Sequence, residues 1–206
     1  IAEHYGLDGA KREGLMLAAW FHDTGYTEST EKHEEHSCRI ARDYLESTSA
    51  PASLADQVCT LIRATERYHQ PQGLLEEIIR DADSSHFASA SYRETAELLR
   101  EELALLGIAT YTNSEWRDTN IKVLRTEHRY YTDYARTHWQ EGKDNNVRKL
   151  VRDREKRQKM AKKEKLKAKY KNESPEVEAQ TMYRVAMRKH LKLSDIADTK
   201  ANILLS

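Results

Sequence analysis

The sequence contains little glycine, proline or cysteine: seven, three and two residues among 206. A β-sandwich or β-barrel needs a turn about every 8 to 12 residues, so this scarcity of turn residues disfavours both folds. Two cysteines, Cys38 and Cys59, are too few for a disulfide framework and indicate a reducing compartment. Each falls in a helical pattern at a position where a small buried apolar side chain is expected.

Long apolar runs are also missing. No window holds 18 consecutive apolar residues, and no signal-like segment opens the chain. The residues given are therefore not predicted to cross a membrane, and we expect a soluble cytoplasmic domain. The apolar fraction of 38% is low and the charged fraction of 33% is high, which predicts long solvated helical surfaces. Together these features predict an all-α fold.

The charges that are present balance, with 34 basic and 34 acidic residues, but they are unevenly distributed. Residues 1–142 carry 15 basic and 25 acidic residues, residues 143–171 carry 14 and four, and residues 172–206 carry five of each. We therefore predict an acidic body, a basic connector and a neutral tail, divided near residues 142 and 172.

Helical periodicity runs through the acidic body and predicts a helical bundle of about 140 residues. The run Leu15–Phe21 is apolar enough to predict a helix that is buried on most sides. The other predicted helices cover His33–Leu45, Leu54–Arg67, Leu74–Phe87, Ala90–Leu106 and Ser114–Trp139. The basic connector has too few apolar residues for a core, so it is interpreted as a long solvated helix; attraction to phosphate groups, a lipid surface or a coiled-coil partner remain alternatives.

Polar residues that suit a metal ion occur at the ends of these helices. His22 and Asp23 directly follow the apolar run, where an ionisable pair is costly unless it is paired or binds a cation. Imidazole and carboxylate are ligands for divalent ions such as Zn, Mn, Fe and Mg. Further candidates are His33 at a helix start, His69 at a helix end, and Asp83 after an apolar pair. For His69 a role as a helix C-cap is the alternative.

The segments AAWFHDTGY, HEEHS, ATERYHQP and IIRDADSSHF together resemble the HD superfamily of metal-dependent phosphohydrolases, an all-helical family, over about residues 1–139. The resemblance assigns His22 and Asp23 to the His-Asp doublet and Asp83 to the distant Asp. It implies a site for one or two divalent ions (Mn, Fe, Zn, Mg, Ni or Co), with His33 and His69 added if two are bound. A further histidine of the family pattern is expected upstream of Ile1, since His4 is a poor substitute, so this domain is expected to be truncated at its N-terminus.

The last residues, HLKLSDIADTKANILLS from His190 to Ser206, resemble the opening of a membrane-effector domain of bacterial cyclic-nucleotide antiphage (Pycsar-type) systems. That resemblance implies a full-length protein anchored in the bacterial inner membrane, through a segment absent here, and a role in antiviral defence. An ordinary amphipathic C-terminal helix is the alternative.

The function implied is metal-dependent hydrolysis of a nucleotide or related small phosphoester. Asp23 serves as a metal ligand in the catalytic centre, and Glu34 or Glu35 orients water or protonates the leaving group. The alternatives are a nucleotide sensor that controls a membrane effector without turnover, and a scaffold with a degenerate site. A second copy of the same chain, in a homo-oligomer, is considered as a further partner. The acidic body argues against a specific nucleic-acid partner.

Overall fold

The structure is a computed structural model that describes residues 1–172 and 179–192. No strand occurs within those ranges, which confirms the all-α prediction. Within residues 1–172 the helices are α1 (Gly9–Phe21), α2 (His33–Ser47), α3 (Ala52–Arg63), α4 (Leu74–Asp83), α5 (Tyr92–Leu105), α6 (Asn113–Lys122), α7 (Asp133–His138) and α8 (Gln140–Asn172). Short 3₁₀ turns cover Thr24–Thr27 and Ser84–Ala88, and a π-helical turn covers Val123–Glu127.

The chain divides into two compact units, Ile1–Arg152 and Asp153–Ser206. In the second unit the described residues, 153–172 and 179–192, are helical, and residues 153–169 and 179–192 are mostly exposed. The resemblance at His190–Ser206 lies outside the described residues except for its first three positions. None of the helices in residues 1–172 and 179–192 is both long and apolar enough to cross a membrane.

The main core lies among α1, α2, α3 and α4. Helix α3 packs against both α1 and α2, and α1 also packs against α4. Val58 and Ile62 of α3 are fully buried at the centre of this cluster. Cys38 and Cys59 are buried there with free thiols, as the sequence predicted. This packing brings the end of α1, the start of α2 and the end of α4 to one side of the unit's core.

Helix α1 is not buried on most sides, so that prediction is wrong. Leu15 and Ala18 face the core, whereas Met16 and Trp20 are exposed, Trp20 by 78%. The reason is that the neighbouring helices cover only one face of α1. A continuous apolar run therefore does not by itself show that both faces of a helix are covered.

A second, smaller core joins α5, the π-helical turn and the start of α8 through Tyr92, Leu124 and Val147. Beside it, the buried Asn146 amide of α8 donates hydrogen bonds to the carbonyls of Phe87 and Ser89, at 2.9 and 2.7 Å. These bonds satisfy carbonyls at the end of the 3₁₀ turn that follows α4. The start of α8 is thereby fixed to the segment that carries Asp83.

The single helix predicted over Ser114–Trp139 is interrupted. The chain leaves helical geometry at His128 and begins again at Thr132, the N-cap of α7. The fully buried carboxylate of Asp81 accepts hydrogen bonds from Tyr131 N–H (2.9 Å), Thr132 N–H (2.7 Å) and the Thr132 hydroxyl (2.6 Å). This contact between positions 50 residues apart in sequence replaces the helical hydrogen bonds of the break. Helical periodicity could not reveal it.

Replacing Asp81 by alanine should destabilise the protein. The substitution leaves two buried backbone N–H groups and one hydroxyl without an acceptor, which costs about 3 kcal/mol or more. Urea unfolding monitored by circular dichroism measures the loss. Asp43→Ala, on the exposed side of α2, is the matched control and should change the free energy of unfolding by less than about 0.5 kcal/mol. Equal losses in the two variants would contradict the assigned role of Asp81.

Candidate metal centre

His22 lies at the end of α1 and is oriented by a backbone contact. Its Nδ1–H donates to the carbonyl of Ala19, at 2.9 Å. The other nitrogen, Nε2, lies 3.3 Å from Asp23 Oδ2 and 3.5 Å from Asp83 Oδ1. Metal-binding histidines commonly donate one ring N–H to a carbonyl, which fixes the tautomer that presents the other nitrogen to the ion. His22 has this arrangement.

The two carboxylates determine the charge of His22. The hydrogen bonds from its ring to Asp23 first, and then to Asp83, raise the pKa of His22 to about 10 despite partial burial. The same contact lowers the pKa of Asp23. In the absence of another cation, the proton on Nε2 is therefore the positive charge that balances this pair of carboxylates.

The turn that follows the His22-Asp23 doublet packs closely against the start of α2. The hydroxyl of Ser37 donates to the carbonyl of His22 (2.7 Å) and accepts from the N–H of Gly25 (2.8 Å). A Cβ atom on Gly25 would lie 1.9 Å from the carbonyl oxygen of His33. Only glycine therefore allows the turn after the doublet to pack this closely on the start of α2.

His33, the first residue of α2, also approaches Asp23. Its Nε2 lies 3.7 Å from Asp23 Oδ1 and 3.3 Å from Glu34 Oε1. The ring of Tyr26 stacks on the His33 imidazole with centroids 3.9 Å apart, which limits the orientations of the imidazole. Tyr26 and the Ser37 contact were not among the residues selected from the sequence, because only the folded turn brings them to the cluster.

The cluster formed by His22, Asp23, His33 and Asp83 has the donor types that bind a divalent ion, but its side chains do not yet surround a common centre. Two ligands of a tetrahedral ion bonded at about 2.1 Å lie roughly 3.4 Å apart. The nitrogen-to-oxygen separations here are 3.3, 3.5 and 3.7 Å. As the side chains stand, no group of three or more His, Cys, Asp or Glu in the described part of the chain could hold an ion. Closing the cluster around an ion therefore requires the carboxylates to turn from His22 Nε2 toward a common centre.

Two predicted site residues have other partners. His69 Nε2 donates to Glu76 Oε2 at 2.7 Å, and the N–H of Gln72 donates to the same oxygen. Burial of the Glu76 carboxylate raises its pKa, but the two hydrogen bonds outweigh this effect, so the pKa of Glu76 is lowered overall. Glu35 forms a two-bond ion pair with Arg63 at 2.7 and 2.9 Å, which lowers the pKa of Glu35. Neither His69 nor Glu35 contacts the four-residue cluster through an ion pair found among residues 1–172.

A cavity of about 630 Å³ is lined by Glu34, whose Oε1 lies 3.3 Å from Nε2 of His33 in the cluster. Its walls also include Lys32, Tyr68 and His69. His4 lies elsewhere: its ring packs on Tyr5 and Tyr134, so it does not supply a further ligand.

The arrangement of two carboxylates around the oriented imidazole of His22 agrees with a comparison of the sequence with known protein families. Residues 1–88 match the family model of the HD domain. The HD superfamily consists of metal-dependent phosphohydrolases, and its members generally bind divalent metal ions. All five predicted metal ligands lie within the matched part of the chain. No curated protein and no solved structure matches this sequence.

Gly25→Ala should disrupt the candidate metal centre. The added methyl group would overlap the carbonyl of His33, so the turn that follows Asp23 must move away from α2. Overpacking of this kind costs about 1–3 kcal/mol, and separation of Asp23 from His33 should weaken Mn²⁺ binding at least tenfold.

Calorimetric titration with Mn²⁺ and thermal unfolding measure the two effects. Gly9→Ala is the matched control, because a Cβ atom there meets open space at the start of α1. Wild-type affinity in both variants would show that the close packing at Gly25 does not position the metal ligands.

Proposed function

We propose that this protein is a metal-dependent phosphohydrolase acting on a nucleotide or a related small phosphoester. The observation that carries the proposal is the meeting of two imidazoles and two carboxylates from the ends of α1 and α4 and the start of α2. The match of residues 1–88 to the HD domain supports the reaction class. The substrate class is the one that the resemblance to the HD superfamily implies, and the lining of the cavity supports it.

His22, Asp23, His33 and Asp83 are the residues that would hold a divalent ion. Such an ion, when bound, lowers the pKa of water to near neutrality and neutralises charge on phosphate oxygens. His69 would have to leave Glu76 before it could bind a second ion, which favours a single ion in this arrangement.

Glu34 is the better placed of the two predicted acid–base residues. Its side chain is mostly buried, lies 3.3 Å from His33 Nε2 and lines the cavity. It can accept a proton from water held beside the cluster and return it to the leaving group. Glu35 is occupied by Arg63, so its carboxylate is not available for the same task without breaking that ion pair.

The cavity favours a small phosphoester. Lys32 forms no ion pair within residues 1–172 and can bind a phosphate oxygen, while the exposed ring of Tyr68 offers a surface on which a nucleobase can stack. Glu34, Glu35 and Glu66 surround the same space, and their charge opposes the approach of a long polyanion.

Asp23→Asn should abolish turnover. The variant removes a charge that faces His22 and His33, so we expect the rate of phosphate release from a panel of nucleotides with Mn²⁺ to fall about a thousandfold. Asp43→Asn removes the same charge from an exposed site on α2 and should retain the wild-type rate. A wild-type protein that binds nucleotide tightly but releases no product would instead support the sensor alternative and would overturn the proposal of hydrolysis.

The variants Glu34→Gln and Glu35→Gln should show which of the two neighbouring carboxylates acts as the acid–base group. Loss of the Glu34 acid–base group should lower kcat by about 10²-fold with little change in KM, whereas Glu35→Gln should retain kcat to within about threefold. Steady-state kinetics on the substrate found in the panel, with circular dichroism to verify folding, distinguishes them. The reverse order of effects would assign the role to Glu35.

Membrane attachment, oligomeric state and a role in antiviral defence stay predictions of the sequence. The basic connector lies within α8, and its surface is mostly exposed where described. Attraction to anionic lipid or phosphate through its Lys and Arg side chains remains part of that prediction.

A further inference from the structure

A second cavity, of about 420 Å³, lies outside the HD-domain match. It is formed by the π-helical turn Val123–Glu127 and the first turns of α8, all within the unit Ile1–Arg152. Three of its lining residues are cationic, namely Arg125, Lys143 and Arg148, and one, Asp144, is anionic. Lys143 and Arg148 belong to the basic connector, whereas Arg125 comes from the acidic body.

Lys143 is the unusual member of this set because it is only 4% exposed. Its ammonium group donates to the ring Nδ1 and to the carbonyl of His128, both at 3.2 Å, and lies 5.2 Å from the centre of the Tyr130 ring. No carboxylate forms an ion pair with it in the described residues. Burial lowers the pKa of Lys143, and only the nearby charge of Asp144 opposes this, so the charge of the ammonium group is incompletely compensated.

His128 cannot supply the missing negative charge. Its Nε2 bonds to the hydroxyl of Ser84 at 2.8 Å, and that hydroxyl in turn donates to the carbonyl of Arg80 at 2.8 Å. Nε2 therefore carries the ring proton, and Nδ1 accepts from Lys143. Burial, Lys143, Arg80 and His86 lower the pKa of His128 to about 3, in agreement with a neutral ring.

The two arginines at the cavity are exposed and also lack counter-ions. Arg125 and Arg148 form no ion pair within residues 1–172 and 179–192, although many other arginines of this chain do. Asp144 is engaged by the side-chain amide of Gln140, whose Nε2 donates to its Oδ1 at 2.8 Å. The guanidinium groups therefore remain available to a ligand, and their fork geometry suits a phosphate group.

We propose that this cavity binds a small phosphate-bearing ligand, whose negative charge compensates Lys143 and is held by Arg125 and Arg148. Its volume lies within the range of about 300–1,000 Å³ usual for small-molecule sites. The ligand is either inorganic phosphate or a nucleoside monophosphate, since both present the same charged group. The site is separate in sequence and in residues from the metal cluster, so it does not depend on the proposed hydrolysis.

Isothermal titration calorimetry on the full chain, with EDTA present and ionic strength held constant, tests this site. The two probes are inorganic phosphate and adenosine 5′-monophosphate. Arg125→Ser combined with Arg148→Ser should weaken binding of at least one probe about tenfold or more. The matched control, Lys149→Ser combined with Arg152→Ser, removes the same charge from neighbouring positions of α8 that do not line the cavity, and should bind like the wild type.

Lys143→Met provides a second variant, with circular dichroism used to verify folding. If it folds, it should lose affinity for the same probe as the arginine pair. Tighter binding of adenosine 5′-monophosphate than of phosphate would identify a nucleotide, and equal binding would identify the phosphate group alone as the ligand. No binding of either probe by the wild type, unchanged affinity in the arginine variant, or equal loss in the control would overturn the proposal.

Discussion

Two carboxylates face one nitrogen of His22, and the candidate centre depends on how their charge is balanced. The hydrogen bonds to Asp23 and Asp83 raise the pKa of His22 to about 10, so in the absence of a metal ion a proton on Nε2 supplies the balance. Nδ1 is fixed on the Ala19 carbonyl, so a divalent ion can replace the proton without reorienting the ring. Under the proposal, the same nitrogen would hold a proton in the metal-free protein and would bind the ion when one is present.

The fold supports this arrangement from two sides. Ser37 and Gly25 attach the turn after the doublet to the start of α2, where His33 and Glu34 begin the helix. Asp83 lies two residues after Asp81, whose buried carboxylate fixes the end of α4 to the segment before α7. The centre is therefore held by short polar contacts at helix ends, while the apolar core keeps those ends on one side of the unit.

Part of this site could be predicted from the sequence and part could not. His22, Asp23 and Asp83 follow apolar runs at helix ends. Their suitability as metal ligands and their proximity in a helical bundle could therefore be predicted. The partners of His69 and Glu35 were not, because they depend on a loop that returns Glu76 to His69 and on the pairing of α2 with α3. The break before α7 was missed for a related reason, since the bonds that replace its helical contacts come from Asp81, about 50 residues earlier. Local periodicity carries no signal for such long-range polar contacts.

The central claim is that His22 and His33 present Nε2 to a divalent ion. Long-range ¹H–¹⁵N NMR of the imidazole groups, recorded before and after addition of Zn²⁺ at neutral pH, tests it directly. The account predicts that His22 is doubly protonated at first, that Zn²⁺ removes the proton from Nε2 while Nδ1–H remains, and that His33 Nε2 shifts as well. His138, which is exposed and bonded to Tyr134, provides the internal reference. A His22 that stays doubly protonated at saturating Zn²⁺ would contradict the account.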